Sequence, residues 1–192
     1  MEEALIKFLF EQGQLKLITN SRFRLLGVKN PANIGSHALR AAQIGYILAH
    51  LENYPNLEKI SAMLVFHEMA ESRTGDINRV EGRYLEKKKE QAAQEQTKPL
   101  GKIGEEILAL WQEAEDDKSA AGQIAKDADM LEHSLTAKEY IEKGYKHAQN
   151  WIDNTEKGLK TEAAKKLIKQ LQQTDSNSWW QGLKKVPRSD ID

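Results

Sequence analysis

The chain contains no cysteine. Disulfides and thiolate metal ligands are therefore excluded, and a bound metal has only histidine and carboxylate side chains to hold it. Proline is scarce, with four in 192 residues, and no apolar run approaches the length that spans a bilayer. With no secretory leader at the N-terminus, the absence of cysteine predicts a cytoplasmic protein. A surplus of charge is also lacking, since 28 basic residues meet 29 acidic ones for a formal net charge of −1. No global field draws such a chain to nucleic acid or to an anionic membrane, so neither is expected as a partner, and any bound anion must be held by a local cluster of cations.

What is present is helical periodicity. Apolar residues recur at three- and four-residue spacing and no segment alternates, so the fold class reads as all-α, one helical bundle over residues 1–192. Hydrophobic residues make up 40% of the chain, enough for one core of ordinary size. The spacing predicts helices over about 2–17, 33–51, 57–72, 76–95, 103–115, 119–146 and 155–173. The second opens on Asn33 as N-cap and turns Leu39, Ala42, Ile44, Ile47 and Leu48 inward. The third turns Ile60, Met63, Leu64 and Val65 inward and stops at Gly75. The bundle core is expected over about 19–147, with C-terminal helices over 155–182 packed on it and a flexible tail at 183–192.

Chemistry concentrates in "VFHEMAESRTGD", Val65 to Asp76. On a helix His67 and Glu71 lie one turn apart on one face, with Glu68 about 100° around the axis. "NIGSHALRAA" places His37 among small residues that let another helix approach, and "AKDADMLEH" places Asp129 on a helix face that must be buried. A buried carboxylate demands a partner, and a cation is one. Asp76 either caps the following helix or serves the chemistry. Two imidazoles and carboxylates from three helices fill part of the shell of a divalent ion and leave positions open, which is the arrangement of a hydrolase.

The order His37, His67-Glu68, Asp129 resembles the HD-domain metal-dependent phosphohydrolases, and "HEMAESRTGD" is similar to the HDxxExxxGD signature of their 5'-deoxynucleotidase branch. The resemblance spans roughly Thr19 to Tyr140. It implies that His37, His67, Glu68 and Asp129 hold one divalent ion, whether manganese, cobalt, iron, magnesium or zinc. It implies further that Glu71 orients the attacking water and Asp76 assists proton transfer. Arg22 matches a phosphate-contacting arginine of that branch, with Arg24 as its substitute, and Phe23 matches an aromatic beside the sugar. Arg79 is a further candidate at the pocket edge. The implied substrate is a small phosphorylated molecule, a nucleoside 5'-monophosphate above all, and the implied assembly is a homodimer. Glu68 stands where the family has Asp, and Ser36 where the branch has an acid. Asp127 rivals Asp129, but the family's K-x-x-D-x-x-E pattern, started at Lys126, selects Asp129.

Three other readings compete. A zinc peptidase is suggested by "HEMAE", but the position of its second histidine holds Glu71. A degenerate site that binds metal or nucleotide without turnover is suggested by Glu68 and Ser36. A nucleoside triphosphate or guanosine alarmone as substrate would need a basic cluster, for which Arg73, Arg79 and Arg83 are the available residues. His133, one turn beyond Asp129, reads as a solvated or core-edge side chain.

Overall fold

The computed structural model describes residues 1–185, so most of the tail expected at 183–192 lies outside the described residues. The helices are α1 (Glu2–Gln12), α2 (Ser21–Arg24), α3 (Ile34–Leu51), α4 (Leu57–Phe66), α5 (Glu71–Thr74), α6 (Lys89–Thr97), α7 (Lys102–Asp116), α8 (Ala120–Glu142), α9 (Gln149–Gly158), α10 (Glu162–Gln173) and α11 (Ser178–Gln181). Among the described residues the one extended pairing is an isolated antiparallel bridge between Thr19 and Asn33. Around it the Asn20 N–H donates to the Ala32 carbonyl and the Ile34 N–H to the Ile18 carbonyl, each at 2.8 Å. These bonds close the connector into a loop and hold α2, with its arginines, against the bundle.

Helix α8 is the axis of the bundle, with α3, α4, α7, α9 and α10 packed around it. The main core joins Leu48, Ile60, Met63, Leu64, Leu131 and Ile168, and each such side chain contributes about 1.5–3 kcal/mol on full burial. Gly45 permits the close crossing of α3 and α4, since a Cβ there would stand 2.2 Å from Leu64 Cδ1. A second core of Phe8, Met69, Leu100 and Trp111 fastens α1, α6 and α7 onto the turn that follows α4. That turn, residues 67–70, thus lies between two apolar clusters and is immobilised by both.

Several expectations are corrected. Leu39, Ile47 and Val65 are 63%, 52% and 52% exposed. The inward stripe of α3 is Ile34, His37, Ala38, Ala41, Ala42, Ile44, Gly45, Leu48 and Ala49, so Ala42, Ile44 and Leu48 face inward as expected and Leu39 and Ile47 do not. The charged helix expected from Asp76 is absent up to Lys88 apart from a 3-10 turn at Glu81–Arg83. There the Asn78 side chain accepts from the Val80 and Glu81 N–H groups at 3.0 and 3.1 Å, a local bond that competes with helix formation. The C-terminal helix is two helices. Buried Asp127 accepts from the Lys160 and Thr161 N–H groups and from the Thr161 hydroxyl, splitting α9 from α10 and explaining why this acid takes no part in the site. Helix α1 gives way to a 3-10 turn at Gly13, and the third helix breaks after Phe66.

Candidate metal centre

The break after Phe66 is what allows two adjacent residues to face one point. His67 ends α4, and the chain then turns through i to i+3 bonds, Met69 N–H to the Phe66 carbonyl and Glu71 N–H to the Glu68 carbonyl, both at 2.9 Å. The buried Trp111 indole N–H donates to the His67 carbonyl at 3.1 Å and fixes the turn from the α7 side. His37 arrives from the second turn of α3 and Asp129 from the middle of α8. Donor atoms of His37, His67, Glu68 and Asp129 all lie within 4.8 Å of one another, and all four residues are buried.

The geometry fits a cation. His67 Nε2 is 3.3 Å from His37 Nε2, and Glu68 Oε1 is 3.7 Å from each of these nitrogens. The remaining nitrogen of each ring is occupied: His67 Nδ1 bonds the Leu64 carbonyl at 2.6 Å and His37 Nδ1 bonds Glu132. Both Nε2 atoms therefore face one point, and an Nδ1 partner such as Glu132 or the Leu64 carbonyl is what orients metal-bound histidines. Asp129 Oδ1 lies 3.2 Å from His37 Nε2 and 3.2 Å from His133 Nδ1, yet it is buried with no hydrogen bond of acceptable geometry. An orphaned carboxylate oxygen beside two facing imidazole nitrogens is the donor set that Mn, Fe, Co or Zn accepts. The extra methylene of Glu68 is accommodated, since its carboxylate reaches both rings.

Electrostatics separate the acids into two kinds. Burial alone would raise Glu68, but the charges of His67, Lys89 and His37 hold it down at about 2. Burial likewise opposes ionisation of Asp129, and Lys126 and His133 hold it well below the usual range. Glu71 differs: burial, and then the charge of Glu68, push it up to about 7 against the pull of Lys89. One of its oxygens, Oε1, accepts from Lys87 Nζ at 2.9 Å, while Oε2 is buried and unbonded. His37 is desolvated, which lowers it, but the neighbouring carboxylates of Asp129 and Glu132 prevail and raise it to about 10. In the metal-free protein a proton thus stands on His37 where an ion would otherwise satisfy the carboxylates.

Asp76 lies at the edge of this centre. Gly75, at φ 68°, adopts a backbone that favours glycine and turns the chain out of α5. Asp76 Oδ2 then accepts from the Ser21 N–H at 2.6 Å, so this acid caps α2 across 55 residues of sequence rather than the segment that follows it. Arg22 lines the same cleft as His67, Glu68 and Asp129, together with Lys89, Glu115 and Lys126, around a space of about 90 Å³. Burial would lower the Arg22 guanidinium, but Asp129, Glu68, Asp76 and Glu71 raise it. The other substrate candidates lie elsewhere. Phe23 is completely buried, with its ring centroid 4.9 Å from that of Tyr140 and 5.6 Å from that of Trp151. It therefore belongs to the core, which corrects its placement beside a sugar. Arg24 and Arg79 are exposed and are not among the residues lining the cleft. Arg73 is taken by Glu11 and Glu95.

Sequence reading gave several members no role in the site, Glu132 among them although it ends the family's K-x-x-D-x-x-E pattern. Glu132 accepts from Arg40 Nε at 3.0 Å, Arg40 Nη2 at 2.8 Å and the Thr136 hydroxyl at 2.9 Å while its other oxygen holds His37. The signal was available, because Glu132 lies three residues after Asp129 and Arg40 three after His37, each on the ligand's own helix face. His133 is buried, not solvated, with its ring 4.3 Å from His37 and Nδ1 on the Asp129 carbonyl at 2.8 Å. Lys87 and Lys89 carried no such signal, since they reach Glu71 only through the irregular path of residues 75–88.

Comparison with known proteins accords with this geometry. The chain is 34% identical over 141 residues to a 5'-deoxynucleotidase HDDC2 of Dictyostelium discoideum, covering 67% of this chain and 73% of that protein. It is 28% identical over 158 residues to the 5'-deoxynucleotidase HDDC2 of Homo sapiens, covering 79% of this chain and 76% of the relative. A solved structure of a conserved hypothetical protein from Pyrococcus furiosus superposes with a TM-score of 0.72 at 25% identity, covering 88% of this chain and 99% of that one. The HD domain family model matches residues 12–172, which contain every residue of the cluster. The chain with this buried His37, His67, Glu68 and Asp129 centre belongs to the HD domain family.

Proposed function

We propose that the protein is a metal-dependent phosphohydrolase that removes phosphate from a (deoxy)nucleoside 5'-monophosphate. The observation that carries the reading is the pairing of a four-residue cation site with Glu71, a buried carboxyl pushed up to about 7 with one oxygen unbonded. That value is the metal-free one, and a divalent ion close by would favour the ionised carboxylate, the form that accepts a proton from water. A divalent ion held by His37, His67, Glu68 and Asp129 supplies the Lewis acid and brings the pKa of water towards neutrality. Glu71 Oε2 receives the proton of the attacking water, while Lys87 on Oε1 keeps the carboxyl aimed. Asp76, half-buried beside it, assists proton transfer to the departing oxygen and through Ser21 sets the position of Arg22. Arg22 clamps the phosphoryl oxygens, for which its planar fork is suited.

The cleft brings Arg22, Lys89 and Lys126 beside the cation site, a lining that suits a phosphoryl group. The names of the curated relatives support a deoxynucleoside monophosphate. The protein is read as cytoplasmic and as a homodimer. The test is phosphate release from nucleoside mono- and triphosphates by metal-stripped protein with Mn, Co, Fe, Mg or Zn restored singly, beside His67→Ala and Glu71→Ala. Metal-dependent release from monophosphates, abolished in both variants with the ion still bound by Glu71→Ala, is expected. Nucleotide binding with no release from any substrate would replace this reading with a binding protein.

A further inference from the structure

We infer that Lys89 is a phosphate-binding residue of this site, parked between Glu68 and Glu71 in the structure and turning to a phosphoryl oxygen when substrate enters. The inference rests on the phosphohydrolase reading and adds a residue to it. Lys89 opens α6, with Nζ 3.3 Å from Glu71 Oε1 and 3.8 Å from Glu68 Oε2. Its side chain is 28% exposed and lines the cleft, whereas Lys87, 2.9 Å from the same Glu71 oxygen, is 13% exposed and is not among the lining residues. Glu71 therefore already has a closer and more buried cation, and the longer contacts of Lys89 are the ones it can exchange.

The charges point the same way. Glu68, Glu71, Asp76 and Asp129 are matched by Arg22, Lys87, Lys89 and Lys126, with Lys126 Nζ 3.1 Å from Asp129 Oδ2. Glu132 is matched by Arg40, and Glu115 is exposed at the rim. With His37 neutral, these groups balance before an ion arrives. A divalent ion that engages Glu68 and Asp129 leaves two positive charges over, the complement of a phosphomonoester dianion. Of the two ammonium groups that line the cleft, Lys89 has the longer contacts, 3.3 and 3.8 Å against 3.1 Å for Lys126, although against its burial Glu68 and Glu71 together raise it. An ammonium meeting a phosphoryl oxygen there forms a charge-assisted hydrogen bond, stronger than a neutral one.

The experiment is calorimetric titration of the manganese-loaded protein with inorganic phosphate, alongside kcat and KM for a nucleoside 5'-monophosphate, for wild type, Lys89→Gln, Lys89→Arg and Lys87→Gln. Lys89→Gln is expected to weaken phosphate binding by roughly tenfold or more, the scale of one hydrogen bond to a charged group, and to raise KM by a similar factor. Manganese affinity stays within about twofold, because Lys89 does not ligate the ion, and Lys89→Arg, which keeps the charge, recovers most of the phosphate affinity. Unchanged phosphate affinity in Lys89→Gln would overturn the inference, as would an equal loss in Lys87→Gln or a parallel loss of manganese. Wild-type protein that binds phosphate but hydrolyses no nucleotide would sink the functional reading alone, because the phosphate titration still decides the role of Lys89.

Discussion

Metal uptake by this protein should expel a proton, and the number can be worked from the site. In the metal-free protein His37 is raised to about 10 by Asp129 and Glu132, so at pH 8 it is roughly 99% protonated on the Henderson relation. A ligating imidazole must be neutral, and about one proton per ion is therefore released on binding. Glu71, held near 7, is about 90% ionised at pH 8 and adds little there. At pH 6 it is about 90% protonated, and the charge of an ion close by drives that proton off, so release climbs from about one towards two. Titration of stripped protein with manganese chloride in weak buffer, read with an indicator dye or by calorimetry in buffers of different ionisation enthalpy, gives the count directly. A release near zero at pH 8 would refute the argument, because it would mean that His37 is neutral without metal and that Asp129 Oδ1 has no proton facing it. A flat count between pH 8 and pH 6 would refute the part that concerns Glu71.

The acid limb of stability follows from Glu68 and Glu132, both held at about 2 in the fold. Their folded pKa values lie below the ordinary carboxylate value, so their contribution is present above about pH 4.5 and is lost as pH falls towards 2; urea melts of metal-free protein should show the midpoint falling across that window. Phe23→Ala should cost about 3–5 kcal/mol, the scale for a buried ring, and leave the KM of the folded fraction close to wild type. An intact thermal midpoint with altered substrate preference would return Phe23 to the pocket. Gly104→Ala should destabilise by about 1–3 kcal/mol, because a Cβ there meets the Thr97 carbonyl oxygen at 1.9 Å and backbone cannot step aside as a side chain does. A thermal midpoint equal to wild type would show that α6 and α7 slide apart freely.

The four-residue centre was legible because the ligand types are rare and their order is distinctive. Helix identity was legible for an amphipathic segment such as α7, whose apolar spacing is one-sided, while α8 is buried on most of its surface. What stayed hidden depended on chain path. Residues 76–88 read as helix by composition, yet the Asn78 side chain captures the Val80 and Glu81 amides and diverts the backbone, so Lys87 and Lys89 reached the site unannounced. The outward position of Leu39 and Ile47 was hidden for a related reason. Once His37 must face inward, the rest of α3 is rotated to suit it, and hydrophobicity loses to ligand placement. Phe23 shows the opposite failure, since a motif position was read as chemistry while Tyr140 and Trp151 had already claimed the ring for packing.

The bond from the Ser21 N–H to Asp76 spans 55 residues and joins two segments that share no helix. The arginine arm is already held by the Thr19–Asn33 bridge, and this bond ties the acidic loop to it. An opening of the loop at Gly75 would free the Ser21 amide and appear as faster hydrogen exchange there.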